Sequence, residues 1–240
     1  MRFRTIRRGS RRAGCAVCLI GLLASCACAA APPPAPRATP PPPQAAPPAG
    51  DAQKLANCPA VGDATSPQVQ SLNRLKRRMT VPSGADLDSR VTMTALVAPG
   101  DDTGRFDVQR GATIAGYVAG VKVGGVESVN CHTHDPAYRD THIELTLDPN
   151  SNDESTHVIV EVTPQVRLEM AKQGVDWSTA ALKATLLGRW VRVTGWLMFD
   201  FEHLAAAKNT AAAGAHIWRA TVWEIHPITS IEVLPGRPTG

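Results

Sequence analysis

The sequence predicts an all-β fold, a closed five-stranded barrel with helical sequence inserted between the third and fourth strands. Three observations predict it. Five stretches of strand-type alternation occupy the C-terminal half, and a helical stretch separates the third from the fourth. Glycines also sit midway along the first and fourth, where the short strands of a small barrel must bend to close.

The first strand is "ATIAGYVAGVKVGG", 112–125, a long β-run interrupted by glycines. "THIELTLDP", 141–149, alternates strictly, with Ile143, Leu145 and Leu147 on one face and His142, Glu144 and Thr146 on the other. "THVIVEVTP", 156–164, alternates likewise, with Val158, Val160 and Val162 inward. Two helical segments follow: "PQVRLEMAKQG" opens on a proline and ends at a glycine, and "STAALKATLLG" runs from a capping serine to Gly188. "RWVRVTGWLMFD", 189–200, is the fourth strand, with a bulge or bend expected at Gly195, and the fifth lies within 217–234. The order β-β-β-α-β-β is that of an OB-fold, a five-stranded Greek-key barrel. It occupies 110–240. Ahead of it, 65–109 forms an extension with a helix over 65–79, capped by Ser66 and opened by Pro67, and a strand over 90–97, "RVTMTALV".

The chain begins with targeting sequence. Residues 1–25 carry six arginines and then a short apolar run. Leu23-Ala24-Ser25-Cys26 resembles the lipobox of bacterial lipoproteins, which implies lipidation at Cys26 and an anchor to the cell envelope. With Ala27 next, the resemblance implies the outer membrane, facing the periplasm. Residues 26–64 read as a disordered Pro/Ala-rich tether, ten prolines falling within 32–48. In polyproline II form that run spans roughly 50 Å.

Removing the leader changes the charge argument. The full chain is +4, but beyond residue 25 there remain 19 basic residues against 21 acidic. That balance argues against a nucleic-acid partner. The basic run "RLKRR", 74–78, reads as one solvated face of the helix. Of six cysteines, Cys58 and Cys131 lie furthest along the chain, and in an oxidising compartment they suit a disulfide, with two free thiols or a Cys28–Cys58 bridge as the competing readings.

"VTGWLMFDFEH" and "WEIHPITSIEVL" resemble a group of uncharacterised bacterial secreted or lipid-anchored proteins. These carry a Val-x-Gly…Asp-x-x-His segment and a terminal Glu-(Ile/Leu)-His-Pro-(Val/Ile) strand. The matching residues here are Val193, Gly195, Asp200, His203, Glu224, His226, Pro227 and Ile228. The resemblance implies an OB-type fold in the envelope and assigns no catalytic residue.

Acid–histidine pairs recur at Asp140/His142, Asp200/His203 and Glu224/His226. A hairpin of strands four and five places Asp200 opposite about residue 220 and His226 opposite about residue 194. Those levels are ~20 Å apart at 3.3 Å per residue, which separates His203 from His226. The loop joining strands one and two is expected at the other end of the barrel. Any metal is therefore expected to be local to "NCHTHDPAYRDTHIEL", 130–145, on His132, His134, Asp140 and His142, with Cys131 and Asp135 nearby. Imidazoles with a carboxylate suit zinc, nickel or copper. The competing reading is a polar loop with Asp140 and His142 starting a strand, and His226 in a structural role beside a carboxylate. No Gly-x-Ser-x-Gly elbow, phosphate loop or dinucleotide fingerprint is present, so no catalytic residue and no cofactor are expected.

The function expected from sequence is a lipid-anchored envelope domain that binds a small ligand or a protein partner. Its expected binding face is the exposed side of strands two and three, His142, Glu144, His157 and Glu161. The alternative is a metal-binding protein, or a metal-dependent hydrolase or nuclease, centred on 131–142.

Overall fold

The computed structural model describes residues 49–238, so the leader, Cys26 and the proline run lie outside the described residues. Five strands, β1 (Gly111–Val123), β2 (Thr141–Thr146), β3 (Val158–Val162), β4 (Trp190–Phe199) and β5 (Trp223–Val233), form the sheet. They close into one barrel in the order β1-β2-β3-β5-β4. Every neighbour is antiparallel except β3 and β5, which run parallel with Val160 opposite Ile225. This is the OB-type barrel that the element order predicts.

Closure depends on two bends. The first half of β1 pairs with β4 and the second half with β2, with a register shift between Val118 and Gly120. On β4 the register against β5 shifts at Gly195. A Cβ at Gly195 would lie 2.2 Å from the carbonyl oxygen of Pro227, so only glycine lets the strands approach this closely. The inward positions fill the core as the alternation requires: Ile143, Leu145, Val158, Val160, Val162, Val193, Leu197 and Ile225 are all buried there. Between β3 and β4 lie α4 (Pro164–Lys172) and α5 (Thr179–Leu186). Thr163 and Ser178 cap them by accepting the N–H groups of Val166 and Ala181. Leu182 and Leu186 carry α5 into the core.

The extension differs from expectation in two places. Residues 49–56 form a helix, α1 (Ala49–Ala56), so the expected tether does not run to residue 64. After α2 (Pro67–Lys76), the predicted strand over 90–97 is a single helical turn, α3 (Met93–Leu96). Thr92 caps it by accepting the Ala95 N–H, and Met93 and Leu96 are both buried. The physical reason is closure, because a barrel with no free edge offers no ladder to a sixth strand. Ser66 precedes α2 as expected, but its hydroxyl makes no cap bond and donates to Gln68 instead.

The extension is fastened to the barrel. Cys58 and Cys131 form the expected disulfide. The basic run 74–78 is not a solvated face. Arg77 donates to the carbonyls of Cys58 and Pro59 at 3.1 and 2.7 Å. Arg78 donates to the carbonyls of Val108 and Leu197 and lies 5.1 Å over the Trp196 ring. Lys76 is buried. Among the described residues no helix is long and apolar enough to cross a membrane.

Candidate metal centre

With Ile143 and Val160 turned inward, the residues beside them turn outward. His142 on β2 stands opposite Glu161 on β3. The parallel pairing of Val160 with Ile225 brings Glu161 alongside His226 on β5. Three strands thus present His142, Glu161 and His226 as one row, at the strand spacing of about 4.8 Å.

That face is not exposed. His142, His157 and Glu161 are 8%, 4% and 3% exposed, which removes the expected open ligand surface. Glu144 is partly buried, 3.4 Å from His157 Nδ1 and paired with Lys122 at 2.5 Å. Loop 124–140, the segment around Lys76 and loop 200–222 cover the row. Gly124 packs close against the His142 ring, since a Cβ there would stand 2.9 Å from Nε2. Lys122, at the end of β1, and Arg219 lie 5.6 and 5.2 Å from the Trp218 ring, so the loop after β4 reaches the end of β1.

The expectation that the acid–histidine pairs stand apart is therefore corrected. Asp200 donates its backbone N–H to Val222, and Phe199 faces Trp223, two residues from the expected register. The chain then turns back, placing His203 Nδ1 2.9 Å from Asp200 Oδ2. His226 Nδ1 is 3.3 Å from Glu224 Oε2 and 3.7 Å from Glu161 Oε2, and its Nε2 is 3.8 Å from Asp140 Oδ2. The local loop cluster is corrected as well. His132 and His134 are exposed, and His132 pairs with Asp63 at the surface, 2.8 Å away. Asp140 and His142 turn away from them, into the covered row on the outer face of the barrel.

Two groups place one ligand atom per residue within 4.8 Å of one another: Asp140, Glu161 and His226, and Asp200, His203 and Glu224. Partnering separates them. In the second group Asp200 accepts from His203 and the Glu202 N–H and lies 3.8 Å from Lys76 Nζ, while Glu224 accepts from Arg219. In the first, Asp140 Oδ2, Glu161 Oε2 and His226 Nε2 are buried with no hydrogen-bond partner among the described residues. His142 Nε2 is 2.9 Å from Glu161 Oε1 but out of line for a hydrogen bond, and both its ring nitrogens are likewise unpartnered. Such orphaned polar atoms are costly unless something polar or charged binds them. Asn130 donates to Asp140 Oδ1 at 3.2 Å and so directs Oδ2 inward.

Charge points the same way. Six carboxylates, Glu127, Asp140, Glu144, Glu161, Asp200 and Glu224, are linked with three fixed cations, Lys76, Lys122 and Arg219. If every histidine is neutral, three negative charges are left for protons or a cation to match. Burial opposes a charge on His226, but Glu161, Glu224 and Asp140 outweigh it and push its imidazole up, so a proton there competes with a cation. Burial pushes the Asp140 and Glu161 carboxyls up, Glu161 well above the usual range, against the opposing pull of His226. Burial also pushes the His142 imidazole down, toward the neutral form that binds metals. Lys76, Glu127, Asn130 and Arg219 are site residues that the sequence reading missed. Lys76 lay in the basic run of the predicted helix, Arg219 at the start of the fifth-strand segment and Glu127 in the loop after the first strand, and Asn130 carries no charge.

No family model matches the chain, and no curated protein matches it. Similar solved structures include the Schizosaccharomyces pombe Stn1–Ten1 complex, at 14% identity and a TM-score of 0.26 over 52% of this chain and 58% of that one. Another is the asparaginyl-tRNA synthetase of Entamoeba histolytica, at 16% identity and 0.28, over 60% of this chain and 24% of that one. The chain thus spans little more than half of one and a quarter of the other. The expectation, drawn from net charge, that nucleic acid is not a partner is withdrawn. At these TM-scores the likeness assigns no partner to this chain.

Proposed function

We propose that this protein is a metal-binding OB-type domain that holds one divalent first-row transition ion on Asp140, Glu161 and His226, with His142 adjacent. The observation that carries the reading is the convergence of Asp140, Glu161 and His226 from three different elements, each offering a ligand atom within 4.8 Å of the others and each keeping a buried polar atom with no hydrogen-bond partner among the described residues. A tetrahedral site with bonds near 2.1 Å needs ligand atoms about 3.4 Å apart, so shifts of about 1 Å suffice. The donors are nitrogen and oxygen, which suits zinc, manganese, iron or nickel. Among the described residues thiolates do not contribute, because Cys58 and Cys131 are bridged. That bridge supports an oxidising compartment, in keeping with the envelope setting expected from the leader.

The centre joins β2, β3, β5 and the loop 124–140. An ion there ties the covering loop to the barrel, which is a structural or storage role in a closed site. Zinc titration of chelator-stripped protein tests the reading. The expected result is one ion per chain with Kd at or below about 1 µM, with protons released on binding. No saturable binding, or a stoichiometric ion lost only when His132 and His134 are replaced, would overturn it.

A further inference from the structure

Helix α2 ends in a lysine that points into the acid-rich face of the barrel. The Lys76 side chain is 3% exposed, with Nζ 2.7 Å from Glu127 Oε2 and 3.8 Å from Asp200 Oδ2. Burial disfavours the ammonium, but Glu127, then Asp200, Glu161 and Glu224 outweigh it and keep the group charged. Asp140 also feels this charge. Lys76 is therefore a fixed cation inside the acid network around the centre: Asp200, 3.8 Å from its Nζ, clusters with Glu224, whose Oε2 is 3.3 Å from His226 Nδ1. A divalent ion adds two further positive charges to the same water-poor space, where like charges repel strongly.

Building on the metal-binding reading, we propose that Lys76 is a built-in competitor of the ion and sets its affinity. Its ammonium stabilises the metal-free cluster and opposes metal binding. Conversely, ion binding weakens the hold of Lys76 and so the docking of the C-terminal end of α2. The rest of that docking comes from Asn73, which donates to Val61 and Ser128, and from Arg77. Metal loading and the fit of α2 are thus coupled, and by linkage each weakens the other equally.

Zinc titrations of the wild type, Lys76→Met, Lys76→Arg and the surface control Lys172→Met test this. Lys76→Met is expected to bind at least about tenfold more tightly, because the repulsion is gone. Lys76→Arg keeps the charge and should stay near wild type, as should Lys172→Met. Hydrogen exchange over 67–77 should quicken with zinc in the wild type and not in Lys76→Met. Should Lys76→Met not fold, the double variant with Glu127→Gln removes the pair together and is expected to show the same tightening. Binding by the wild type with no tightening in the Lys76→Met background overturns this proposal alone. No binding by any variant overturns the metal-binding reading and this proposal with it.

Discussion

Arg219→Met is expected to destabilise the protein by about 3–5 kcal/mol, among the largest losses of any single substitution in this chain. Arg219 is fully buried. Its Nε donates to the Thr221 carbonyl at 2.8 Å and its Nη2 to Glu224 Oε1 at 2.5 Å. Glu224 is just as enclosed. Burial alone would raise its pKa, but the Arg219 guanidinium and His226 hold it well below the usual carboxylate range. Removing the arginine strands a carboxylate where water cannot reach it. Arg219→Met/Glu224→Gln removes both charges and should recover most of the loss. Urea unfolding of both variants measures this, and a loss below about 1 kcal/mol in Arg219→Met would show that the pair is not closed to solvent.

The second large effect falls on the ligands. Asp140→Asn, Glu161→Gln and His226→Gln are each expected to weaken zinc binding at least about 100-fold, since each removes a donor that no neighbour replaces. Their effects on the metal-free protein should differ. Burial already keeps the Glu161 carboxyl protonated far above its ordinary range. Its folded pKa is raised, so its contribution to stability is full below about 4.5 and fades as pH rises through the folded value. Glutamine mimics the protonated acid. Glu161→Gln should therefore cost little in metal-free protein and flatten the loss of stability above pH 4.5. In the wild type a saturating ion should add about 2–3 kcal/mol at a hundredfold excess over Kd, and in Glu161→Gln nothing. Thermal unfolding against pH, with and without zinc, reads all of this. A Glu161→Gln variant that keeps the zinc-induced rise in Tm would remove Glu161 from the ligand set.

The barrel was legible because its signals are local. Alternation in β2 and β3, the capping Thr163 and Ser178 and the bend at Gly195 each depend on a few neighbouring residues. The turn at Met93 was misread as a strand for the opposite reason. Its local pattern suits either state, and the closed sheet, a property of the whole chain, decides between them. The candidate centre was half legible. Asp140, His142, Glu161 and His226 each stood out, but the expected register of β4 against β5 held the pairs apart. The pairing that matters is the parallel one between β3 and β5, between residues some 65 positions apart. Which loops cover that face depends on tertiary contacts too, so Lys76 read as part of a solvated helix face and Arg219 carried no signal until the fold placed them.

The most direct measurement is anomalous diffraction from crystals of the zinc-loaded protein. The predicted result is one strong peak within about 2.2 Å of Asp140, Glu161 and His226, on the outer face of β2, β3 and β5. A peak at His132 or His134, or density between the three side chains with no anomalous signal, would contradict a metal centre at this place in the barrel.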